Sequence, residues 1–365
     1  MRIGIPTEIK NNENRVAITP AGVDELARRG HEVLVQAGAG AGSRIDDEDY
    51  AAAGAVIVPD PAEVWDGADL LVKVKEPIAA EYAHLRPDLT LFTYLHLAAD
   101  RPLTEAIVAS GATAIAYETV QLPDRSLPLL TPMSEVAGRL SIAVGSYHLM
   151  SAQGGRGMLL GGVAGTRRAQ VVVIGGGVAG EHAAANAIGL GAQVTVLDVN
   201  LARLRELEHR YGNALQTGAS TRYAIAEALQ SADLVIGSVL IPGAAAPKLV
   251  TDDMVAGMKP GSLLVDIAID QGGCFEGSHA TTHDAPTFAV HDALYYCVAN
   301  MPGAVPETST RALTNATLPY VAALADRGWD AAAAADPSLA KGLNVRGGEV
   351  VNVGVAAALG YAHAD

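Results

Sequence analysis

Short apolar runs, each closed by a polar or glycine-rich turn, recur along the whole chain. In the first third, runs at 2–5, 31–36 and 113–117 alternate with segments of helical period. Such runs are typical of strands buried on both faces of a parallel sheet. Their alternation with helices predicts an α/β unit. Further strands are predicted at 55–58, 69–74 and 89–94, and helices at 20–29, 46–53 and 101–110.

The stretch from Gln170 to Asp198 reads QVVVIGGGVAGEHAAANAIGLGAQVTVLD. It predicts a buried strand, a glycine turn, a helix over 178–190 and a second strand closed by an acid. Gly175 suits the tight turn, Gly177 allows close approach of a pyrophosphate, and Gly180 allows the helix to pack on the strand. The helix N-terminus favours a bound phosphate. Because the whole strand–turn–helix context is present, the motif predicts dinucleotide binding.

Asp198 lies at the position where a carboxylate accepts hydrogen bonds from the adenosine ribose of a dinucleotide. Its charge would repel a 2′-phosphate, so it favours NAD over NADP. Arg203, five residues later, argues mildly the other way, or lies on the surface of the predicted helix at 203–210.

The rest of the chain extends this α/β pattern. Strands are predicted at 232–237, 263–267, 287–290 and 296–298. Ligands bind beyond the carboxyl ends of strands in such sheets, so segments 238–240, 268–270 and 299–301 should face the cofactor. A helix capped by Thr131, with Pro132 at its first position, should run to about Gln153. The glycine-rich connector 154–168 should lie near the cleft or in a subunit contact, and a helix at 307–325 should carry the chain back.

Composition narrows the class of protein. The 365 residues include 39 glycines, and the net charge is −15, which disfavours nucleic acid or an anionic membrane as partners. Cys274 and Cys297 form no CxxC motif and suit free thiols in a reducing compartment. The N-terminus lacks a signal-peptide pattern, and no apolar run is long enough to span a bilayer. A cytoplasmic protein is expected.

Four polar residues stand where chemistry is expected. Lys75 and His96 follow buried strands of the first unit, Asp270 follows a strand of the second, and Arg15 lies in the first loop. Strand-end loops of two α/β units could bring them to one cleft. Each residue alone could equally be a solvated strand end, a surface charge or a turn cap.

At these residues the sequence closely resembles the family of NAD-dependent alanine dehydrogenases. The matching segments occur in the same order as in the family and extend over essentially the whole chain. The matching segments are MRIGIPTEIKNNENRVAITP, LLVKVKEP, LFTYLHLA, LTPMSEVAGR, VVVIGGGVAGEHAA, VDIAIDQGGCFE and CVANMPGAVP. The resemblance implies an α/β fold with two Rossmann-like, doubly wound parallel-sheet domains joined by long helices. Residues 1–128 and 307–365 would form the substrate domain, and 129–306 the NAD-binding domain. It also implies a homohexamer that interconverts L-alanine with pyruvate and ammonium.

The resemblance also assigns roles. Arg15 and Lys75 match substrate ligands, which suits a guanidinium on a carboxylate and an ammonium on an oxo group. His96 and Asp270 match the catalytic acid/base pair. Which of the two serves each proton transfer stays open. The positions that match cofactor contacts are Ser134, Gly175, Gly177, Val178, Ala179, Gly180, Asp198, Arg203, Ser220, Val239, Leu240, Ile267, Asp270, Asn300 and Met301.

The chain departs from the family pattern at a few places. Ala323 and Arg327 stand where some members carry Glu and His as a proposed magnesium site, so no metal is expected there. His279 replaces an arginine, which puts that cofactor contact in doubt. Ala164 replaces a proline in the connector.

Three other functions remain open from the sequence. The soluble NAD-binding component of proton-translocating transhydrogenase shares the fold and the MRIGIP opening, but it lacks the Lys/His pair present here. A non-enzymatic NAD-sensing protein on this fold would leave the four polar residues unexplained. The same chemistry could also serve another short 2-oxo acid, such as glyoxylate in exchange with glycine, because one methylene discriminates weakly.

Overall fold

The protein is described from a computed structural model that covers residues 1–239 and 246–362. Its contacts divide the chain into two compact units. Unit 1 comprises Met1–Met133 and Gly303–Asp365, and unit 2 comprises Ser134–Pro302. The chain passes from unit 1 to unit 2 within a helix, Thr131–His148 (α5).

Unit 1 is built on an eight-stranded sheet, counted over the residues that the structure describes, in the order β15-β14-β6-β5-β4-β1-β2-β3. Its strands are β1 Arg2–Ile5, β2 Glu32–Gln36, β3 Val56–Val58, β4 Leu70–Val72, β5 Thr90–Thr93, β6 Thr113–Ala116, β14 Leu343–Arg346 and β15 Glu349–Val350. Its helices are α1 Pro20–Arg28, α2 Asp47–Ala52, α3 Pro61–Gly67, α4 Arg101–Ser110, α10 Pro306–Ala335, α11 Pro337–Ala340 and α12 Val353–Leu359.

Strands β1 to β6 pair in parallel, whereas β14 and β15 form an antiparallel edge. The residues after Gly303 therefore complete the first sheet. Helix α10 contains a break at Gly328, whose φ of 70° is outside the helical range. The core is aliphatic, with Leu71, Leu91 and Ile107 fully buried.

Unit 2 is built on a seven-stranded sheet, again counted over the described part of the chain, in the order β12-β13-β11-β10-β7-β8-β9. Its strands are β7 Gln170–Ile174, β8 Gln193–Asp198, β9 Leu215–Ala219, β10 Leu234–Gly237, β11 Leu263–Asp266, β12 Thr287–Val290 and β13 Ala293–Tyr296. Its helices, besides most of α5, are α6 Val178–Gly189, α7 Leu201–Tyr211, α8 Arg222–Ser231 and α9 Asp252–Ala256. All neighbours pair in parallel except the antiparallel edge strand β12.

The position of β7 at the centre of the sheet explains why its apolar run, 171–174, is continuous. Val171 and Val173 pack into a core that includes the alanines of α6, while Val172 and Ile174 pack on the opposite face against residues such as Leu229 of α8. Both faces of the strand are thus buried, as in a doubly wound α/β sheet. The predicted fold class is confirmed, with antiparallel strands added at one edge of each sheet.

Several predicted boundaries are wrong. Thr131 does not cap α5, because the helix already includes it and its hydroxyl donates to the carbonyl of Leu127 at 2.9 Å. The α-helix ends at His148, and a 3₁₀ turn follows at Ser151–Gln153. The strand predicted at 296–298 is Ala293–Tyr296, so the apolar run Tyr296–Val298 begins where the strand ends.

The end of the glycine-rich connector lies at the amino edge of the second sheet. Arg167 donates to both carboxylate oxygens of Asp233, at 2.7 and 3.0 Å. The same carboxylate accepts from the backbone of Gln170, the first residue of β7, and from the ammonium of Lys259. This edge is opposite to the one where ligands bind in such sheets. This end of the connector therefore lies away from the ligand edge, and the subunit contact that was expected as the alternative stays a prediction.

Candidate active site

The carboxyl edge of the first sheet carries two of the predicted site residues side by side. The chain leaves β4 through Lys73 and Val74 to Lys75, and it leaves β5 through Tyr94 to His96. The two exits stay paired beyond the strands. The hydroxyl of Thr93 donates to the carbonyl of Lys75 at 3.0 Å. Parallel pairing of β4 with β5 therefore places Lys75 next to the segment that carries His96.

His96 has a left-handed backbone conformation, with φ of 52° and ψ of 31°. For a residue with a side chain such a conformation is sparsely populated and needs support from its surroundings. Glu118 supplies that support. Its carboxylate accepts from the backbone N–H of His96 at 2.7 Å and from that of Leu95 at 3.2 Å.

The imidazole of His96 meets a carboxylate. Its Nδ1 lies 3.2 Å from Oε2 of Glu76, and the other oxygen of Glu76 pairs with the ammonium of Lys10. Although burial raises the pKa of Glu76, His96, Lys75 and Lys10 together hold it below its ordinary value. Glu76 is therefore an anion at neutral pH, and its side chain is only 9% exposed.

Arg15 is buried in unit 1 with its charge matched by Glu13. Its Nε and one terminal nitrogen donate to the two carboxylate oxygens of Glu13 at 2.7 and 2.6 Å, a bidentate pair. The other terminal nitrogen lies 3.0 Å from Sδ of Met133. Although burial lowers it, the pKa of Arg15 is raised above its ordinary value by the hydrogen bonds to Glu13.

Tyr94 connects Arg15 with His96. Its ring stacks on the imidazole, with centroids 6.0 Å apart. Burial raises the pKa of its phenol, and the charge of Arg15 partly opposes that rise. The phenol oxygen donates to the carbonyl of Leu129 at 2.6 Å, which fixes the ring. Arg15, Lys75 and His96 are thus gathered at one edge of the sheet of unit 1.

A buried charge cluster lies directly before this edge. The ammonium of Lys73 lies 2.8 Å from Glu81 and 3.3 Å from Glu8. Although burial lowers it, the pKa of Lys73 is raised by these two carboxylates. Glu8 also accepts from the backbone N–H of Val74 at 2.6 Å, next to Lys75. The cluster fixes the backbone from which Lys75 extends, and the ammonium of Lys75 has no hydrogen-bond partner among residues 1–239 and 246–362.

The glycine turn of unit 2 has the geometry that a dinucleotide needs. Gly175 has φ of 100°, and a Cβ on Gly180 would lie 1.8 Å from the carbonyl oxygen of Gly175, so only glycine fits. A Cβ on Gly177, in contrast, would meet no atom within 4 Å, which leaves room for a bound group. The first turn of α6 presents its free N–H groups beside this space.

Asp198 organises the turn. One carboxylate oxygen accepts from the backbone N–H of Gly176 at 2.6 Å, and the other from that of Asn200 at 2.7 Å. Each oxygen keeps acceptor capacity for a further donor such as a ribose hydroxyl. The residues present therefore fit an adenine dinucleotide.

Arg203 is not a simple surface residue. Its guanidinium donates to the carbonyl of Gly176 at 2.7 Å and pairs with Glu181 and Glu206. Glu181 also pairs with Arg210, and the hydroxyl of Tyr211 lies 3.1 Å from it. Arg203 is thus held by two carboxylates next to the glycine turn.

The other predicted cofactor positions lie around the carboxyl edge of the second sheet or at the start of α5. Ser220 donates its backbone N–H to the carbonyl of Asp198, and Ile267 donates to that of Gly237, both at 2.9 Å. Asn300 has a left-handed backbone with φ of 57°. Ser134, Val178, Ala179 and Val239 are exposed or half-buried, whereas Met301 is buried. Leu240 lies outside the described residues.

Asp270 is an exposed residue of a 3₁₀ turn, Ile269–Gln271, that follows β11. The fully buried carboxylate of Asp266 holds the loop that carries it, because it accepts from the backbone N–H groups of Ala268 at 3.1 Å and Cys274 at 2.9 Å. His279, which stands where an arginine was noted in relatives, stacks on the ring of Phe288 with centroids 3.9 Å apart.

The sequence reasoning missed the acidic partners of the site: Glu8, Glu13, Glu76, Glu118 and Asp266. A signal was available for some of them. Glu76 directly follows Lys75, and Glu13 precedes Arg15 by two residues. Buried or crowded cations require a matching anion, so an acid beside a predicted catalytic cation is a candidate partner.

Comparison with known proteins covers both units. The model of the N-terminal domain of the alanine dehydrogenase/PNT family matches residues 4–137, and that of its C-terminal domain matches residues 141–353. The chain is 64% identical to an alanine dehydrogenase of Mycobacterium tuberculosis, strain CDC 1551, over 99% of this chain and 97% of the relative. It is 63% identical to one of Mycolicibacterium smegmatis, over 98% and 96%.

Solved structures agree. An L-alanine dehydrogenase superposes with a TM-score of 0.95 at 50% identity, covering 99% of each chain. A transhydrogenase from Sinorhizobium meliloti superposes with a TM-score of 0.83 at 28% identity, covering 97% of this chain and 99% of that one. By its two domain models and its full-length relatives, this chain is an enzyme of the alanine dehydrogenase family.

Proposed function

We propose that this enzyme interconverts L-alanine with pyruvate and ammonium and uses NAD as its cofactor. The observation that carries the proposal is the gathering of Arg15, Lys75 and His96 at one edge of the sheet of unit 1. A guanidinium, an ammonium and an imidazole are the groups required to bind a carboxylate, polarise an oxo group and move a proton. The family's relatives are named alanine dehydrogenases.

In this proposal Arg15 binds the substrate carboxylate. The bidentate pair with Glu13 holds the guanidinium in a fixed orientation. Lys75 lies beside the oxo or amino group, where its charge favours an oxygen that gains electron density. The cluster of Lys73, Glu8 and Glu81 keeps its backbone rigid.

His96 and Asp270 move the protons. A water molecule that attacks the carbon next to the carboxylate must lose a proton to a base, and the departing ammonia must gain one from an acid. His96 is suited to both directions because a neutral imidazole accepts a proton on one ring nitrogen and an imidazolium donates one. Asp270, on the loop that Asp266 anchors, is the second acid/base group.

NAD, when bound, would supply the acceptor for the hydride of the substrate Cα. The turn from Gly175 to Gly180 and the N-terminus of α6 would hold its pyrophosphate, and Asp198 its adenosine ribose. The carboxylates of Glu181 and Glu206 counter the charge of Arg203, a cation that could attract a 2′-phosphate, which adds to the preference for NAD. Unit 1 is then the substrate domain and unit 2 the cofactor domain.

We propose further that the enzyme works as a homo-oligomer, a hexamer by resemblance to its family, in the cytoplasm. Large apolar side chains are exposed at the end of α5 and in the connector, among them Tyr147, Met150, Leu159 and Val163. Exposed apolar groups of this size are typical of subunit contacts. Among the described residues, no helix is long and apolar enough to cross a membrane.

A second function has a specific observation in its favour, namely the superposition on a transhydrogenase. A chain of that kind would bind NAD(H) without turning over an amino acid. One assay separates the two. NADH absorbance is followed with pyruvate and ammonium, and in reverse with L-alanine and NAD, using glycine, L-serine and NADP as comparisons. Rapid turnover confined to the alanine pair with NAD supports the proposal, and tight NADH binding without any turnover supports the second function.

A further inference from the structure

Glu76 has no role in the function proposed above, although it touches the catalytic imidazole directly. It follows Lys75 on the loop after β4, whereas His96 lies on the loop after β5. The contact between Oε2 of Glu76 and Nδ1 of His96, at 3.2 Å, therefore joins two separate loops. This contact between the two loops can fix the orientation of the His96 ring, which the backbone of its own loop does not fix.

The charge state of Glu76 determines which of the two atoms carries the hydrogen in this contact. A carboxylate that stays ionised accepts hydrogen bonds and donates none. Nδ1 of His96 must therefore carry the hydrogen that points to Glu76. In the neutral imidazole the lone pair then lies on Nε2, since only one ring nitrogen is protonated. Nε2 has no hydrogen-bond partner in the described parts of the chain, so it is available to the substrate or to water.

The remaining surroundings of His96 fix its position without competing for Nδ1. Glu118 binds the backbone N–H rather than the ring, and Tyr94 packs against the ring face. Lys75 and Lys10 act on Glu76, and Lys10 pairs with the oxygen that does not face His96. Glu76 is thus the one acidic side chain that reaches the ring of His96 in residues 1–239 and 246–362.

We propose that Glu76 is a positioning residue that holds His96 in the tautomer with hydrogen on Nδ1 and stabilises its protonated form during the reaction. The same logic applies wherever a carboxylate orients a catalytic histidine. When water loses a proton to Nε2, the imidazolium keeps its Nδ1 hydrogen bond to the carboxylate. When the ring returns that proton from Nε2, it regains the neutral tautomer from which it started. The inference rests on the proposed role of His96.

The test is Glu76→Gln, which keeps the size of the side chain and removes its charge. An amide can donate to Nδ1 as well as accept, so both tautomers become possible. We expect kcat to fall about 100-fold, within the range that general acid–base catalysis contributes. The KM for L-alanine should change much less, because Arg15 and Lys75 remain.

The pH profile separates positioning from simple damage. Without the anion, protonation of the ring is less favourable, so the acid limb of kcat/KM for L-alanine oxidation should move to lower pH by about one pH unit. Glu25→Gln is a matched substitution on α1, where Glu25 forms an exposed ion pair with Arg29. It should leave kcat and the pH profile unchanged. An acid limb that stays in place while kcat falls would overturn the proposal, as would a kcat within threefold of that of the unchanged enzyme.

A measurement on the unchanged protein makes the test independent of turnover and of the folding of the variant. In solid-state NMR of protein labelled with ¹⁵N-histidine, the His96 signals are assigned by their loss in His96→Gln. The proposal predicts protonated Nδ1 and bare Nε2 in the neutral ring. The opposite tautomer would overturn it, even in an enzyme that turns over alanine. The predicted tautomer in a protein without alanine turnover would leave the Glu76 contact standing and refute the proposed function instead.

Discussion

Each unit contains a largely parallel α/β sheet, but different kinds of chemical groups line the carboxyl edges of the two sheets. In unit 2 the edge is made of backbone and small residues, with the carboxylate of Asp198 binding the N–H of Gly176. In unit 1 the edge is made of ionised side chains paired across loops, as in Glu13–Arg15 and Glu76–His96. Under the proposed function, parallel sheets of similar strand order serve phosphate recognition in unit 2 and proton chemistry in unit 1, because the residues at their strand ends differ.

This difference predicts that damage to the edge of unit 1 will affect turnover and leave cofactor binding intact. His96→Ala removes the proposed acid/base group, and we expect kcat to fall about 1000-fold, since such a group contributes about 10²- to 10⁴-fold. The dissociation constant for NADH, measured by fluorescence titration, should change by less than about twofold. The reason is that the glycine turn and Asp198 lie in unit 2.

The control for this substitution is His31→Ala, which removes a largely buried histidine paired with Asp326 in the same unit. It should keep nearly full activity. Loss of NADH binding in His96→Ala would show that the two edges are not chemically separate.

The converse substitution should affect cofactor choice. In Asp198→Ala two backbone N–H groups lose their acceptor and the ribose loses its partner, so the KM for NAD should rise about 10- to 100-fold, the scale of hydrogen bonds to a charged group. Asp198→Asn is the matched variant, because it keeps an acceptor and removes the charge that opposes a 2′-phosphate. We expect its ratio of kcat/KM for NAD over NADP to fall. An unchanged ratio in both variants would mean that other groups set the preference.

The smallest expected effect lies at the amino edge of unit 2, far along the strands from the ligand edge. Although burial raises it, the pKa of Asp233 is lowered to about 2 by Arg167 and Lys259. Because this value lies below the ordinary 3.8 of the unfolded chain, the stabilisation is fully present above about pH 4 and is lost as the pH falls toward 2. The difference corresponds to roughly 2 kcal/mol.

Asp233→Asn should therefore lower the thermal midpoint at pH 7, as followed by circular dichroism, with kcat unchanged. The difference in thermal midpoint between the variant and the unchanged protein should become smaller as the pH is lowered from 5 toward 3. A constant gap over that range would contradict the assigned role of the carboxylate.

The sequence predicted the edge of unit 2 better than that of unit 1, for a physical reason. The glycine turn is a local device, so its residues are adjacent in the chain and its spacing can be recognised. The partners of a charge are set by tertiary contacts. Glu8 and Lys73 are 65 positions apart, and the pairing of β1 with β4 brings their segments together.

The fold shows the same limit. Continuous apolar strands such as β7 were predicted closely, because burial on both faces leaves a clear pattern. Strand β9, Leu215–Ala219, was missed because only its first residue is buried. Strand β14 was missed because the polar Asn344 interrupts its apolar run, and β15 because it comprises only two residues. The Thr131 cap was wrong because the backbone N–H and the hydroxyl of Thr131 both donate to the carbonyl of Leu127, four residues earlier, so Thr131 already lies within the helix.

The division of labour between the two units depends on one event, the transfer of hydrogen from the substrate Cα to the cofactor. The most direct test is to incubate the enzyme with NAD and L-alanine deuterated at Cα, and to analyse the products by mass spectrometry. The account predicts deuterium in the NADH, and one pyruvate formed for each NADH. NADH without deuterium, or no NADH at all from an enzyme that binds the cofactor, would contradict it.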